Sequence, residues 1–243
     1  MHRFFAPLNN ISNNKITIAE KVQVHHLRDV LRFKLNDKVT VFDEQGNEYN
    51  CLIKKISSTV TLEIKDKHKT EPENKMQITI ACAIPKKSKM DDIVDKLTQI
   101  GVARIIPLET ERVIIKWDKN KKAAQQKRWE KIALSASQQS QRNSIPAIEP
   151  VQDMSKVLSR VQDYDLKLIP TLEGQRKSLK EIFSLPLPLP SNILILIGPE
   201  GDFTPEEVQM AIKAGCIPVT LGDLVLRVDT AAIAMASFIK LYY

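Results

Sequence analysis

Asn192-Ile193-Leu194-Ile195-Leu196-Ile197 runs directly into Gly198-Pro199-Glu200-Gly201, and this junction decides how the chain is built. An unbroken apolar run of this length is the pattern of a strand buried on both faces. Gly-Pro-Glu-Gly can extend neither a strand nor a helix. A helix start follows, with Thr204 as N-cap, Pro205 at the first helical position and Glu207 three residues after the cap. Gly215 ends that helix, and Cys216 to Leu221 is a second apolar strand. Leu221-Gly222-Asp223-Leu224-Val225-Leu226-Arg227 comes next, ahead of a last helix beginning near Asp229 or Thr230. Two glycine turns thus leave the ends of two neighbouring strands, the edge where small ligands bind in an open α/β sheet. Neither a G-x-G-x-x-G fingerprint nor a Walker A motif is present, so on local pattern alone glycines that merely make tight turns are the plainer reading.

Upstream, residues 1–70 carry a different pattern. Lys15 to Ile18, Lys38 to Phe42, Tyr49 to Ile56 and Val60 to Ile64 alternate apolar and polar residues, as half-buried strands do. Val24, Leu27, Val30 and Leu31 make a helical stripe between the first two, and Arg28 and Arg32, four apart, are expected on one other face. A small barrel with exposed arginines is either a structural cap or an RNA-binding module; composition leaves both open. Asp66 to Lys75, polar and interrupted by Pro72, reads as a linker.

From residue 76 the alternation changes to strand then helix, which predicts a parallel sheet. Met76 to Ile84 is a buried-type strand, Met90 to Ile100 a helix stopped by Gly101, and Arg104 to Leu108 the next strand. Lys122 to Gln141 is a long helix with Trp129, Ile132, Ala133 and Ala136 as its apolar stripe. Gln138 and Arg142 at its end are either partnerless polar residues or, at i and i+4, a joint contact. Asp165 to Ile169 is another strand, running into a loop at Pro170 to Gly174, and the alternating Leu185 to Pro190 reads first as an extended connector and second as a partner motif.

The formal net charge is +7, and Arg112 to Arg142 alone holds nine basic residues against Asp118 and Glu130, the whole excess. Such a run is a solvated helix face or an electrostatic footprint for phosphates. Cys51, Cys82 and Cys216 are far apart and the four histidines show no zinc spacing, so buried reduced thiols and no metal are expected. With no run of eighteen apolar residues and no amino-terminal signal pattern, a soluble cytoplasmic protein without membrane contact is expected.

Taken together, Ile-Gly-Pro-Glu-Gly and the later Leu-Gly-x-x-x-Leu-Arg-x-Asp-Thr-Ala run from Leu221 resemble the SPOUT methyltransferases, and more closely the RsmE family. Arg3-Phe4-Phe5, His26 to Arg32, Lys96 to Val102, Thr110-Glu111-Arg112 and Ala136 to Arg142 are similar to that family's motifs too, with Gln99 in place of a usual glutamate. The resemblance implies an amino-terminal PUA-like β-barrel over residues 1–70 and a SPOUT α/β domain over residues 76–243, the latter closed by a deep trefoil knot. It implies an S-adenosylmethionine-dependent enzyme that methylates N3 of a uridine in 16S ribosomal RNA, working as a homodimer. The alternatives are a SPOUT methyltransferase acting on another RNA such as tRNA, and a non-catalytic RNA-binding or ribosome-assembly protein.

Methyl transfer asks mainly for positioning. Backbone groups of glycine loops can grip adenine and ribose, and the resemblance implies that Gly198, Gly201, Leu221, Gly222 and Leu226 line the cofactor, with Leu172 adding a wall. Any side chain at the three glycines is expected to intrude on close backbone approach. Uracil N3 must lose its proton to attack, which asks for a proton acceptor and a cation near the oxygens. Glu200 and Arg227 are the local candidates. Against them stand a turn role for Glu200, bonding backbone amides, and a salt bridge of Arg227 with Asp229 or Asp202. Arg3, Arg28, Arg32, Arg112, Lys127, Arg128 and Arg142 are the RNA-binding candidates. Asp202 stands where the family generally has a second glycine and Leu224 where it often has an arginine.

Overall fold

The computed structural model describes residues 2–69, 76–86, 89–113, 117–172, 174–184 and 190–242. The chain forms two compact units, Met1–Glu73 with Leu134–Ile145, and Asn74–Ala133 with Pro146–Tyr243. The proposed connector over Leu185 to Pro190 lies outside the described residues except for its last proline, as does most of the linker. Its first part is strand instead.

The first unit is a six-stranded sheet in the order β1 (Arg3–Phe5), β4 (Lys38–Phe42), β5 (Asn47–Ile56), β6 (Val60–Lys69), β3 (Lys15–Ile18) and β2 (Ile11–Ser12). The β1/β4 pair is parallel and the remaining neighbours are antiparallel. Alternation puts Ile16, Ile18, Tyr49, Cys51, Ile53, Val60 and Leu62 into one buried cluster with Phe4, Val24 and Leu27. Each fully buried aliphatic side chain there stabilises by about 1.5–3 kcal/mol relative to exposure. Helix α1 (Lys21–His25) continues as a π turn over His26–Val30 and stops at Leu31. Arg32 follows in the left-handed region at φ 54°, so the expected shared face of Arg28 and Arg32 does not form. The wider turn also leaves Val30 exposed, off the predicted stripe.

The second unit is a parallel sheet whose strands run β10 (Gln152–Asp153), β8 (Arg104–Glu109), β7 (Gln77–Ala83), β13 (Asn192–Ile197), β11 (Leu166–Pro170), β14 (Ile217–Thr220) and β12 (Lys177–Ser178), with β9 (Ala147–Ile148) also on β8. Helices cover both faces, which is why β13 reads as continuous apolar sequence. Leu194 and Leu196 pack with Ala211 and Phe203, and with Met154 and Val157 of α4 (Met154–Leu158). The opposite face of β7 and β13 meets α7 (Val228–Tyr242), which packs also on α2 (Lys89–Ile100) and, through Phe238 and Tyr242, on Phe183 of α5 (Leu179–Phe183). Gly101, at φ 98°, ends α2 as the sequence indicates.

Helix α3 (Lys119–Gln139) buries Trp129, Ala133 and Ala136 of the predicted stripe, with Ile132 only half-buried. It stops two residues early, and Gln141 turns left-handed at φ 60°. Gln138 and Arg142 therefore share no helix face. Instead Gln138 Nε2 donates to Gln23 Oε1 at 2.8 Å, and Gln23 itself pairs with both backbone groups of Phe5. Among the described residues no helix is long and apolar enough to cross a membrane.

Candidate active site

Three loops leave the carboxyl ends of β11, β13 and β14 and line an open cleft. The middle loop is fixed from both ends. After Gly201, Thr204 caps α6 (Pro205–Lys213): its hydroxyl accepts from Glu207 N at 3.2 Å while Thr204 N donates to Glu207 Oε2 at 2.9 Å. The other oxygen of Glu207, a buried residue, accepts from Glu111 N at 2.9 Å, tying the loop to the end of β8. Arg112 adds a second tie, its guanidinium donating to the carbonyls of Gly201 and Phe203. The sequence offered Arg112 as an RNA contact; in this structure one nitrogen of its exposed guanidinium is taken up by these two carbonyls.

Leu172, Gly198, Leu221, Gly222 and Leu226 all line the cleft. Gly201 does not. A Cβ there would meet only the flexible Arg112 side chain, at 3.5 Å from its Cδ, so no neighbouring protein group requires glycine at 201. Gly198 is tight for another reason than a ligand, since a Cβ would lie 3.1 Å from Phe203 Cδ2 and 3.2 Å from Asp202 Oδ1. Gly222 is the reverse case, with nothing within 4 Å but φ at +111°, where side chains are strained. The three glycines share a motif, not a cause.

Asp202 lines the same cleft and sits in the left-handed region at φ 61°, a conformation glycine adopts freely and Asp tolerates. That backbone explains why the resembling motif carries glycine there. Its Oδ2 accepts from Leu172 N at 2.8 Å and from Thr171 Oγ1 at 3.1 Å, while Oδ1 accepts from Phe203 N at 2.8 Å. Arg176, which nothing in the sequence singled out, also lines the cleft and donates to Thr171 O at 3.1 Å.

Glu200 is exposed at the cleft, and its Oε1 accepts from Lys86 N at 3.0 Å, so it does bond a backbone amide, though one from another loop. Its second oxygen has no partner among the described residues. Arg227 is exposed just ahead of α7, and neither proposed salt bridge forms. Asp202 is held as above, and Asp229 pairs with Lys89 at 3.5 Å. Among the described residues the Arg227 guanidinium has no hydrogen-bonding or ionic partner.

The remaining cations divide sharply. Arg3 pairs with Glu48 at 2.7 Å and bonds Asn143, Arg142 is buried and donates to Ser144, and Arg128 pairs with Asp91 at 2.6 Å. Arg28 grips Asp29 through two nitrogens, holding that carboxyl well below its ordinary range. Arg32 and Lys127 are exposed and unpaired among the described residues. Burial pushes the Cys51 thiol up to about 12 and Cys216 to about 11, and raises Cys82 likewise, so no thiolate nucleophile is on offer near neutral pH. Among the described residues no group of three or more potential ligands is placed to hold a metal ion.

The cleft's walls mix aliphatic side chains with polar ones, and the main chain of residues 224–226 forms no hydrogen bond to other described residues, leaving polar edges to meet a ligand. Residues 72–240 match the RNA methyltransferase domain family, and residues 22–65 the RNA methyltransferase PUA domain family. The matches give the class: a methyltransferase unit for RNA with a PUA unit ahead of it. The chain is 33% identical over 235 residues to the ribosomal RNA small subunit methyltransferase E of Mesomycoplasma hyopneumoniae, spanning 96% of each. It is 30% identical over 225 residues to the Bacillus subtilis protein of that name, spanning 90% of this chain and 87% of the other. The crystal structure of ribosomal RNA small subunit methyltransferase E from Neisseria gonorrhoeae bound to S-adenosyl methionine superposes with a TM-score of 0.88 at 29% identity, over 100% of this chain and 98% of that one. The chain belongs to the ribosomal RNA small subunit methyltransferase E family.

Proposed function

We infer that the protein transfers the methyl group of S-adenosylmethionine to small-subunit ribosomal RNA, with N3 of a uridine in 16S rRNA as the acceptor. The observation that carries this is the cleft at the ends of β11, β13 and β14, in a chain similar along its whole length to a gonococcal enzyme solved with that cofactor. When bound, the cofactor supplies a methyl group on a sulfonium, already electrophilic. The protein's part is to hold it and to prepare the base. Gly198, Leu221, Gly222 and Leu226 offer main chain and aliphatic surface, and Leu172 closes one side. Gly201 acts at one remove, through its carbonyl and Arg112.

Glu200 keeps one oxygen unpartnered among the described residues and is suited to take the N3 proton. Arg227, with no partner to hold it elsewhere, is suited to donate to an oxygen of the uracil anion or to orient a phosphate. The amino-terminal unit is a PUA-like RNA-binding barrel over residues 1–70, and residues 76–243 form the SPOUT domain, with Leu134–Ile145 grouping with the barrel. Arg32 in the first unit and Lys127 in the second are the best-placed phosphate contacts, because nothing among the described residues neutralises their charges. The trefoil knot of the SPOUT domain rests on the family alone. After β14, on the far side of β11, the chain returns past that strand so that α7 packs on β7 and β13. The protein works in the cytoplasm as a homodimer.

The test is methyl transfer from labelled S-adenosylmethionine to small subunits isolated from a deletion strain, with purified tRNA in parallel and mass spectrometry of the rRNA. A new N3-methyluridine in 16S rRNA is expected. Label appearing only in tRNA, or in neither, overturns the assignment.

A further inference from the structure

Resting on the methyltransferase reading, we propose that Asp202 is a positioning residue that builds the cofactor wall by pinning the Leu172 loop to the Gly198–Asp202 turn. Three observations combine. The carboxylate spends both oxygens on main chain and hydroxyl donors of two different loops, Thr171 Oγ1 and Leu172 N on one side and Phe203 N on the other. The turn that presents it is closed by Asp202 N donating to Pro199 O at 2.9 Å, and the residue adopts φ 61°, which only a few residue types accept. The side chain so placed, Leu172, is 45% exposed, so packing alone does not fix it.

A charged acceptor holding an exposed loop by its amide gives stronger hydrogen bonds than a neutral one. Losing it should loosen Thr171 and Leu172 and make the cofactor organise them again on binding. Phe203 stays anchored in the core, so the damage is confined to the loop. Asp202 touches no reacting atom in this account. It acts through Leu172.

Asp202→Gly and Asp202→Asn in the full chain separate this role from general stability. Glycine suits the left-handed backbone, so the melting temperature should hold within a few degrees. Even so, amide exchange at Leu172 in the unliganded protein should quicken by about tenfold or more, and the dissociation constant and KM for S-adenosylmethionine should rise about tenfold. The turnover number and the KM for rRNA should stay near wild type. Asparagine keeps one acceptor oxygen and should fall between. Unchanged Leu172 exchange in Asp202→Gly overturns the clamp, as does a change in turnover with unaltered cofactor KM. If wild-type protein does not bind S-adenosylmethionine the proposed function fails, while the exchange measurement on unliganded protein still decides the clamp.

Discussion

Gly198→Ala is the most informative small change in the cleft, because the structure assigns its effect to two named neighbours. The added methyl would sit 3.1 and 3.2 Å from two carbons of the Phe203 ring and 3.2 Å from Asp202 Oδ1, inside ordinary van der Waals separation. Phe203 is only 3% exposed and packs with Leu194, Leu196 and Ala211, so it cannot swing aside. Overpacking of this kind costs about 1–3 kcal/mol. In a chain of this size each kcal/mol lowers the melting temperature by roughly 2–4 °C. A fall of several degrees is therefore expected. Pushing Asp202 also loosens its bonds to Phe203 and Leu172, so affinity for S-adenosylmethionine should drop by about tenfold. Gly201→Ala, three residues on, is the control: its methyl makes ordinary contact with the Arg112 side chain, so stability should change by no more than ~0.5 kcal/mol and affinity barely at all. Thermal melts and calorimetric titration on both variants decide the matter. A Gly198→Ala protein that melts and binds like wild type, or a Gly201→Ala protein that fares as badly, would refute the reasoning.

Arg112→Ala should weaken cofactor binding at least as much as RNA binding, because it frees the carbonyls of Gly201 and Phe203; loss of RNA affinity alone would return it to the phosphate contacts. Neutralising Lys127 together with Arg32 should lower the slope of log affinity against log salt by about 1.4–1.8, as for two lost phosphate contacts, whereas neutralising Arg128, already paired with Asp91, should change it little. An equal loss for Arg128 would show that the pair opens on RNA. Arg227→Lys keeps the charge but not the fork, and turnover on small subunits should fall on the order of a hundredfold with melting temperature and cofactor affinity held. A fall in melting temperature with normal turnover per folded molecule would make it structural.

The elements of the methyltransferase unit were legible because their signals are local. Continuous apolar runs marked β7 and β13, and Thr204-Pro205-x-Glu207 marked the start of α6 through a capping box that does form. The loops of the cleft were legible as a set, since glycine turns after parallel strands lie on one edge. Individual roles inside them were not. Sequence cannot distinguish a glycine kept for a neighbour's ring, as at 198, from one kept for its φ, as at 222, or from one whose carbonyl matters, as at 201. Nor does a count of arginines reveal which are neutralised: Arg128 finds Asp91 thirty-seven positions away, and Arg3 finds Asn143 across 140. The π turn after His25 is the same lesson at short range. Helical periodicity assumes 3.6 residues per turn, and one wider turn moved Val30 and Arg32 off their expected faces.

Grouping Leu134–Ile145 with the amino-terminal unit has a consequence for biosynthesis. The sheet of that unit is complete at Lys69, yet Gln23 and Arg3 take partners from Gln138 and Asn143. A ribosome adding about 5–20 residues per second delivers those partners on the order of several seconds after the last strand. Through that interval the nascent amino-terminal segment carries the buried polar amide of Gln23 without its downstream donor. Completion of the first unit thus waits for translation of residues 70 to 145, and synonymous changes that stall elongation there would lengthen the time spent incomplete.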